Sequence, residues 1–119
     1  MSEEYSTERL LQEQGSLVHT IKGVSMMPLL DQNKDAVHLI PVNRELQKND
    51  IVLFKRANGA LVLHRIIKIR EDGYVIRGDN CIGSELVPRE NIIAIADAVY
   101  KNGRYIPCND KKLIKYAKK

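Results

Sequence analysis

Apolar positions along this chain fall mostly in short Val- and Ile-rich runs separated by polar breaks, the pattern of strands and turns. The runs are Leu17 to Ile21, Ala36 to Val42, Ile51 to Lys55, Leu61 to Ile69, Tyr74 to Ile76 and Ile92 to Tyr100. Between them lie turn-forming pairs. Asn58-Gly59 predicts a two-residue type I′ hairpin, in which both residues take positive φ. Asp72-Gly73 and Asn102-Gly103 make the same case, and hairpins in series predict an antiparallel, mainly β domain.

Helical patterning is confined to the ends. Residues 6–14 carry Leu10 and Leu11 among helix formers, with Ser6 or Thr7 as cap and Gly15 as stop. Residues 110–118 place Leu113, Ile114 and Ala117 behind an Asn109 or Asp110 cap, predicting a closing helix. The 119 residues, 44% hydrophobic, suit one domain with one core, running 1–119 with its centre at about 17–108. No repeat or linker divides it.

Charge changes the picture little. The net +4 comes largely from Lys111, Lys112, Lys115, Lys118 and Lys119; this tail reads as a solvated helix face or frayed terminus before it reads as a contact for anionic lipid. Nucleic acid is not an expected partner. No run approaches the roughly 20 apolar residues of a bilayer span, and the first fifteen residues are charged and mixed in sign, unlike a signal or transit peptide. The expectation is a soluble cytoplasmic protein. There Cys81 and Cys108, which form no CxxC pair, are free thiols, and His19 and His38 are structural.

Three stretches carry candidate chemistry. In Gly23-Val24-Ser25-Met26-Met27-Pro28 a small hydroxyl sits on a turn stiffened by Gly and Pro. Such a composition makes ordinary turns, but a catalytic serine also needs its hydroxyl and backbone N–H presented together on a rigid turn. His64 lies mid-strand in Leu61 to Ile69, sharing a face with Val62, Ile66 and Lys68, while Leu61, Leu63, Arg65 and Ile67 take the other. A lone strand histidine is commonly a packed residue; held neutral by burial, it can also serve as a base. In Arg77-Gly78-Asp79-Asn80 a strand ends in a corner whose Asp79 either forms an Asx turn or fixes an imidazole, and Glu85 could do the same.

Together the stretches GVSMMP, NDIVLFKR, LHRIIKI and RGDN resemble the type I signal peptidase superfamily over roughly Thr20 to Val99. The resemblance implies a LexA/signal peptidase-like antiparallel β domain with short terminal helices and a serine endopeptidase needing no metal or cofactor. It assigns Ser25 as nucleophile and His64, where bacterial Ser/Lys enzymes carry lysine, as base, as in the endoplasmic-reticulum type. Asp79 matches the corner aspartate, and Glu85 stands where the family has a further aspartate, so the acidic helper is one or the other. Gly23, Val24, Met26, Met27 and Pro28 would meet a peptide bound as an extended strand along the Leu17 to Gly23 edge, with the Ser25 N–H as an oxyanion donor. Without a membrane anchor in view, the expected substrate is a small peptide precursor, such as the leader of a ribosomally made product.

Two other readings share the fold. LexA-type self-cleaving repressors use lysine as base and carry a helix-turn-helix, for which about twenty residues before the core are too few. A non-catalytic module would offer an edge strand to a peptide. The Ser25 to His64 spacing, 64 − 25 = 39, is close to the peptidase interval and favours catalysis.

Overall fold

The computed structural model describes residues 3–20, 23, 25–27, 29–32 and 34–117, and of residues 3–6 only the backbone. The expected mainly antiparallel β domain is what forms. Helix α1 (Glu3–Gln14) leads into β1 (Leu17–Thr20), β2 (Asp35–Pro41), β3 (Ile51–Lys55), β4 (Leu61–Arg70), β5 (Gly73–Arg77), β6 (Glu85–Val87), β7 (Ile92–Lys101) and β8 (Arg104–Pro107). Helix α2 (Lys111–Ala117) closes the chain. The strands make one sheet in the order β1-β2-β7-β3-β4-β5-β6, with β8 added to β7, and every pairing is antiparallel.

Period-2 alternation sorts the side chains into two cores. Ile51 and Leu53 pack with Leu30, Val37 and Leu39, while Val52 and Phe54 pack with Ile66, Ile76 and Ile95. Strand β3 is therefore buried on both faces and centres the sheet. Helix α1 covers the first core through Leu11.

Several local expectations are corrected. Helix α1 begins at Glu3, so Ser6 and Thr7 lie within it rather than capping it. Gly15 stops it as expected, its N–H reaching Leu11 O at 2.9 Å. The β3–β4 connection is not a two-residue turn. Arg56 N–H bonds Ala60 O, Gly59 alone has positive φ (89°), and the Asn58 side chain accepts the Ala60 N–H, which makes a three-residue loop of the type I plus bulge kind. In the next hairpin Gly73 pairs with Arg70, leaving Glu71-Asp72 as the loop. Asn102-Gly103 is the expected type I′ turn, with φ of 55° and 80°. The N-cap of α2 is Asp110, whose carboxylate accepts the Lys112 N–H at 2.9 Å. No helix among the described residues is long and apolar enough to cross a membrane.

Candidate active site

Ser25 lies in the connection from β1 to β2, on a turn closed by Leu30 N–H to Met26 O at 2.9 Å. Met26, 2% exposed, plugs that turn into the first core, so the serine beside it is held by a buried side chain. Two backbone groups of the Gly78-Asp79-Asn80 corner reinforce it: Asn80 N–H donates to Ser25 O at 2.7 Å, and Asp79 N–H to Met26 Sδ at 3.4 Å.

His64 arrives from β4, where its register opposite Val52 puts it on the second core's face against Phe54, ring centroids 6.1 Å apart. Its Nε2 is 3.1 Å from Ser25 Oγ, the range for hydroxyl-to-imidazole proton transfer. His64 is 8% exposed. Burial lowers its pKa below the ordinary 6.5, and the Arg56 charge lowers it further, against smaller upward pulls from Glu85 and Asp79. The imidazole is thereby neutral at pH 7, with a lone pair on the atom facing the serine when its proton sits on Nδ1.

Gly78 makes this convergence possible. A Cβ there would lie 2.7 Å from Ser25 O, 2.8 Å from Cys81 Sγ and 2.9 Å from His64 Nε2. Only a residue without a side chain lets the corner close on both groups.

A cavity of about 350 Å³ opens over Ser25 and His64, walled by His19 and Thr20 of β1, Arg56, and Leu61 to Leu63 of β4. Among the described residues both walls carry free strand edges: strand β1 pairs only with β2, and Leu61 to His64 pair only with β3, because the β4–β5 pairing reaches no further than Arg65. Unpaired edges on either side of a nucleophile–base pair can hydrogen-bond an extended peptide.

The predicted residues divide accordingly. Ser25, His64 and Met26 meet at the cavity, Gly23 and Met27 do not line it, and Val24 and Pro28 lie outside the described residues. The edge expected over Leu17 to Gly23 is β1, ending at Thr20; Ile21 and Lys22 are likewise not described. His19, expected to be structural, faces the cavity, with Nδ1 2.7 Å from Thr20 O. His38 pairs with Asp97 at 2.6 Å, away from Ser25.

The acidic helper is corrected more sharply. Neither Asp79 nor Glu85 is hydrogen-bonded to His64. Asp79 takes both its oxygens to Arg65, at 2.8 and 3.0 Å, in a pair whose side chains are each 9% exposed. Glu85 takes both of its own to Arg56, at 2.7 and 3.3 Å. Adjacent strand residues point to opposite faces, so the corner that closes its glycine on His64 presents its carboxylate to Arg65. Arg56 was the residue missed at sequence level: its partner is 29 positions away and no local pattern marks the pair.

Cys81 and Cys108 are free thiols, as expected. Cys108 lines a second cavity, of about 300 Å³, beneath α2, and burial pushes its thiol up to about 11, which leaves it inert as a nucleophile at neutral pH. No three His, Cys, Asp or Glu side chains among the described residues converge as metal ligands do. No protein-family model, curated protein or solved structure matches this chain.

Proposed function

We propose that this protein is a serine endopeptidase of the signal peptidase-like kind, acting on a peptide or protein precursor with Ser25 as nucleophile and His64 as base. The observation that carries the reading is the 3.1 Å approach of Ser25 Oγ to a buried, neutral imidazole beneath two free strand edges. A substrate strand lies between β1 and Leu61 to His64, its scissile carbonyl over Ser25. Oγ bonds to the carbonyl carbon while its proton passes to His64 Nε2. The imidazolium then protonates the leaving nitrogen as the C–N bond breaks, leaving an acyl-serine. A water, deprotonated by the same nitrogen, hydrolyses that ester and restores both residues. The Ser25 backbone N–H contributes one oxyanion donor. With Asp79 and Glu85 bound to arginines, their part is the through-space field that favours the imidazolium. The cytoplasm is the compartment in which the precursor is met.

A fluorophosphonate should label Ser25 covalently in the parent and not in His64→Ala, with the adduct located by peptide mass spectrometry. Host peptides shortened by the parent but not by Ser25→Ala then identify the substrate. Absence of any Ser25 adduct under conditions that label a control serine peptidase sinks the reading. The carboxylates' engagement elsewhere favours a second reading, a module that binds peptides along its free edges without cleaving them; strand binding with no adduct is its signature.

The His64 pKa sets the pH response. Only the neutral imidazole is a base, so kcat/KM should rise with pH through a single step whose midpoint lies below the ordinary 6.5. A midpoint at or above that value contradicts a buried base. The same depression links to folding: as pH falls below 6.5 the unfolded chain takes up the proton first, so the stability present above that pH is lost towards the folded-state pKa.

A further inference from the structure

The Arg65–Asp79 pair that removes Asp79 from the imidazole is gripped from the other side. Tyr116, on α2, sets its ring under the Arg65 guanidinium, 5.8 Å from Cζ to the ring centroid. Its hydroxyl lies near Asp79; burial and that negative charge raise its pKa above the ordinary 10.0. The Arg65 Nη1 is held as well, donating to Asn49 O at 2.8 Å. Tyr116 also packs against the first core and meets the Leu29 backbone, and the two charged residues it grips are each the chain neighbour of a site residue. Arg65 follows His64 on β4, and Asp79 follows Gly78, which abuts Ser25 O and His64 Nε2.

We infer that Tyr116 is a positioning residue: through Arg65 and Asp79 it clamps the Gly78-Asp79-Asn80 corner against Ser25 and His64, so that the C-terminal helix holds the nucleophile–base pair in register. The inference rests on the peptidase reading for its consequence in rate, but the clamp itself has a readout that needs no substrate. Tyr116 lines a hollow on the far side from the groove, shared with Arg65, Arg77 and Asp79. Breaking the clamp therefore leaves the peptide-binding edges in place and loosens the corner that seals the imidazole. The charged groups acting on His64 are Arg56, Glu85 and Asp79. Loss of the Asp79 field alone would lower the histidine's pKa, whereas water entering behind a loosened corner raises it, so the sign separates the two.

The experiment compares the full chain with Tyr116→Leu, Tyr116→Phe and, as a solvent-facing control on the same helix, Lys112→Ala. His64 is titrated by NMR through its imidazole C–H signals, and peptide cleavage is followed in parallel. In Tyr116→Leu the His64 midpoint should move up towards 6.5, and kcat should fall on the order of tenfold with KM within about twofold, as small misplacements of reacting groups do. Tyr116→Phe, which keeps the ring against Arg65, should fall between Leu and parent, and Lys112→Ala should match the parent. Should Tyr116→Leu fail to fold, by circular dichroism, Tyr116→Phe carries both readouts. A midpoint that stays or falls in the folded variants overturns the clamp, as does a rise in KM alone. An upward shift in a protein whose parent neither cleaves peptides nor labels at Ser25 keeps the clamp and removes the peptidase.

Discussion

Ser25→Ala should lower kcat by roughly 10⁴- to 10⁶-fold, His64→Ala by nearly as much, and the double variant by no more than the worse of the two. In the proposed mechanism the two side chains act as one unit. At 3.1 Å the imidazole is the group placed to take the hydroxyl proton, and without it a serine hydroxyl at neutral pH is a poor nucleophile. Once either partner is gone the other has nothing to act on, so their losses cannot add. What survives is binding and the oxyanion donor, neither of which needs the dyad. Peptide affinity should accordingly stay within a few-fold in Ser25→Ala, because the β1 and β4 edges are backbone and do not involve its hydroxyl. Single-turnover kinetics with a cleaved peptide, and a separate binding titration, check both halves. Either single variant retaining a tenth of the parent rate removes the dyad as the mechanism.

How His64 is held matters for that prediction. In a Ser-His-Asp triad a carboxylate on Nδ1 fixes the ring. Here the ring is fixed by Phe54, by the pairing of β4 with β3 on one side, and by the Gly78 corner on the other. The depressed pKa follows from the same enclosure, which keeps the base neutral but gives the imidazolium no direct partner. Arg56 adds to that depression and Glu85 counters it while pinning Arg56, so burial sets the direction of the shift and the ion pair only adjusts it.

Much of this was legible in the sequence, for reasons that also mark where legibility stopped. Alternation along Leu61 to Ile66 places His64 on the face of Val62 and Ile66 correctly, because side-chain direction in a strand depends on position alone. It fails beyond Ile66, where a register shift breaks the count. Strand β6 went unread because three residues between a loop and Pro88 carry too little pattern; β5 defines it by pairing with it. Asn58-Gly59 marks a hairpin but not its loop length, which the Arg56 to Ala60 bond decides. At the site, the order of the Ser25, His64 and Gly78-Asp79-Asn80 stretches gave the convergence. The carboxylate's partner was hidden because Arg65 and His64 are adjacent in sequence and opposite in space. The free edge over Leu61 to His64 was hidden because it depends on where β5 ends, at Arg77 opposite Arg65.

Gly78→Ala tests the convergence without touching a reacting group. The added methyl would stand 2.7 Å from Ser25 O and 2.9 Å from His64 Nε2, well inside the roughly 3.5 Å of ordinary contact. Neither neighbour can swing aside. One is a backbone carbonyl already accepting the Asn80 N–H, the other an imidazole buried against Phe54. Relief must come from the corner backing away, which lengthens Asn80 N–H to Ser25 O and parts the hydroxyl from its base. Overpacking of this sort costs about 1–3 kcal/mol in stability, and a displacement near 1 Å costs on the order of 10²-fold in rate. Gly83→Ala is the matched control, since nothing lies within 4 Å of a Cβ there. Denaturant unfolding and kcat should both separate the two variants, and fluorophosphonate labelling of Ser25 should slow in Gly78→Ala alone. If Gly78→Ala matches Gly83→Ala in all three, the corner does not press on the dyad, and the 3.1 Å contact must be held by β4 and the Met26 turn without it.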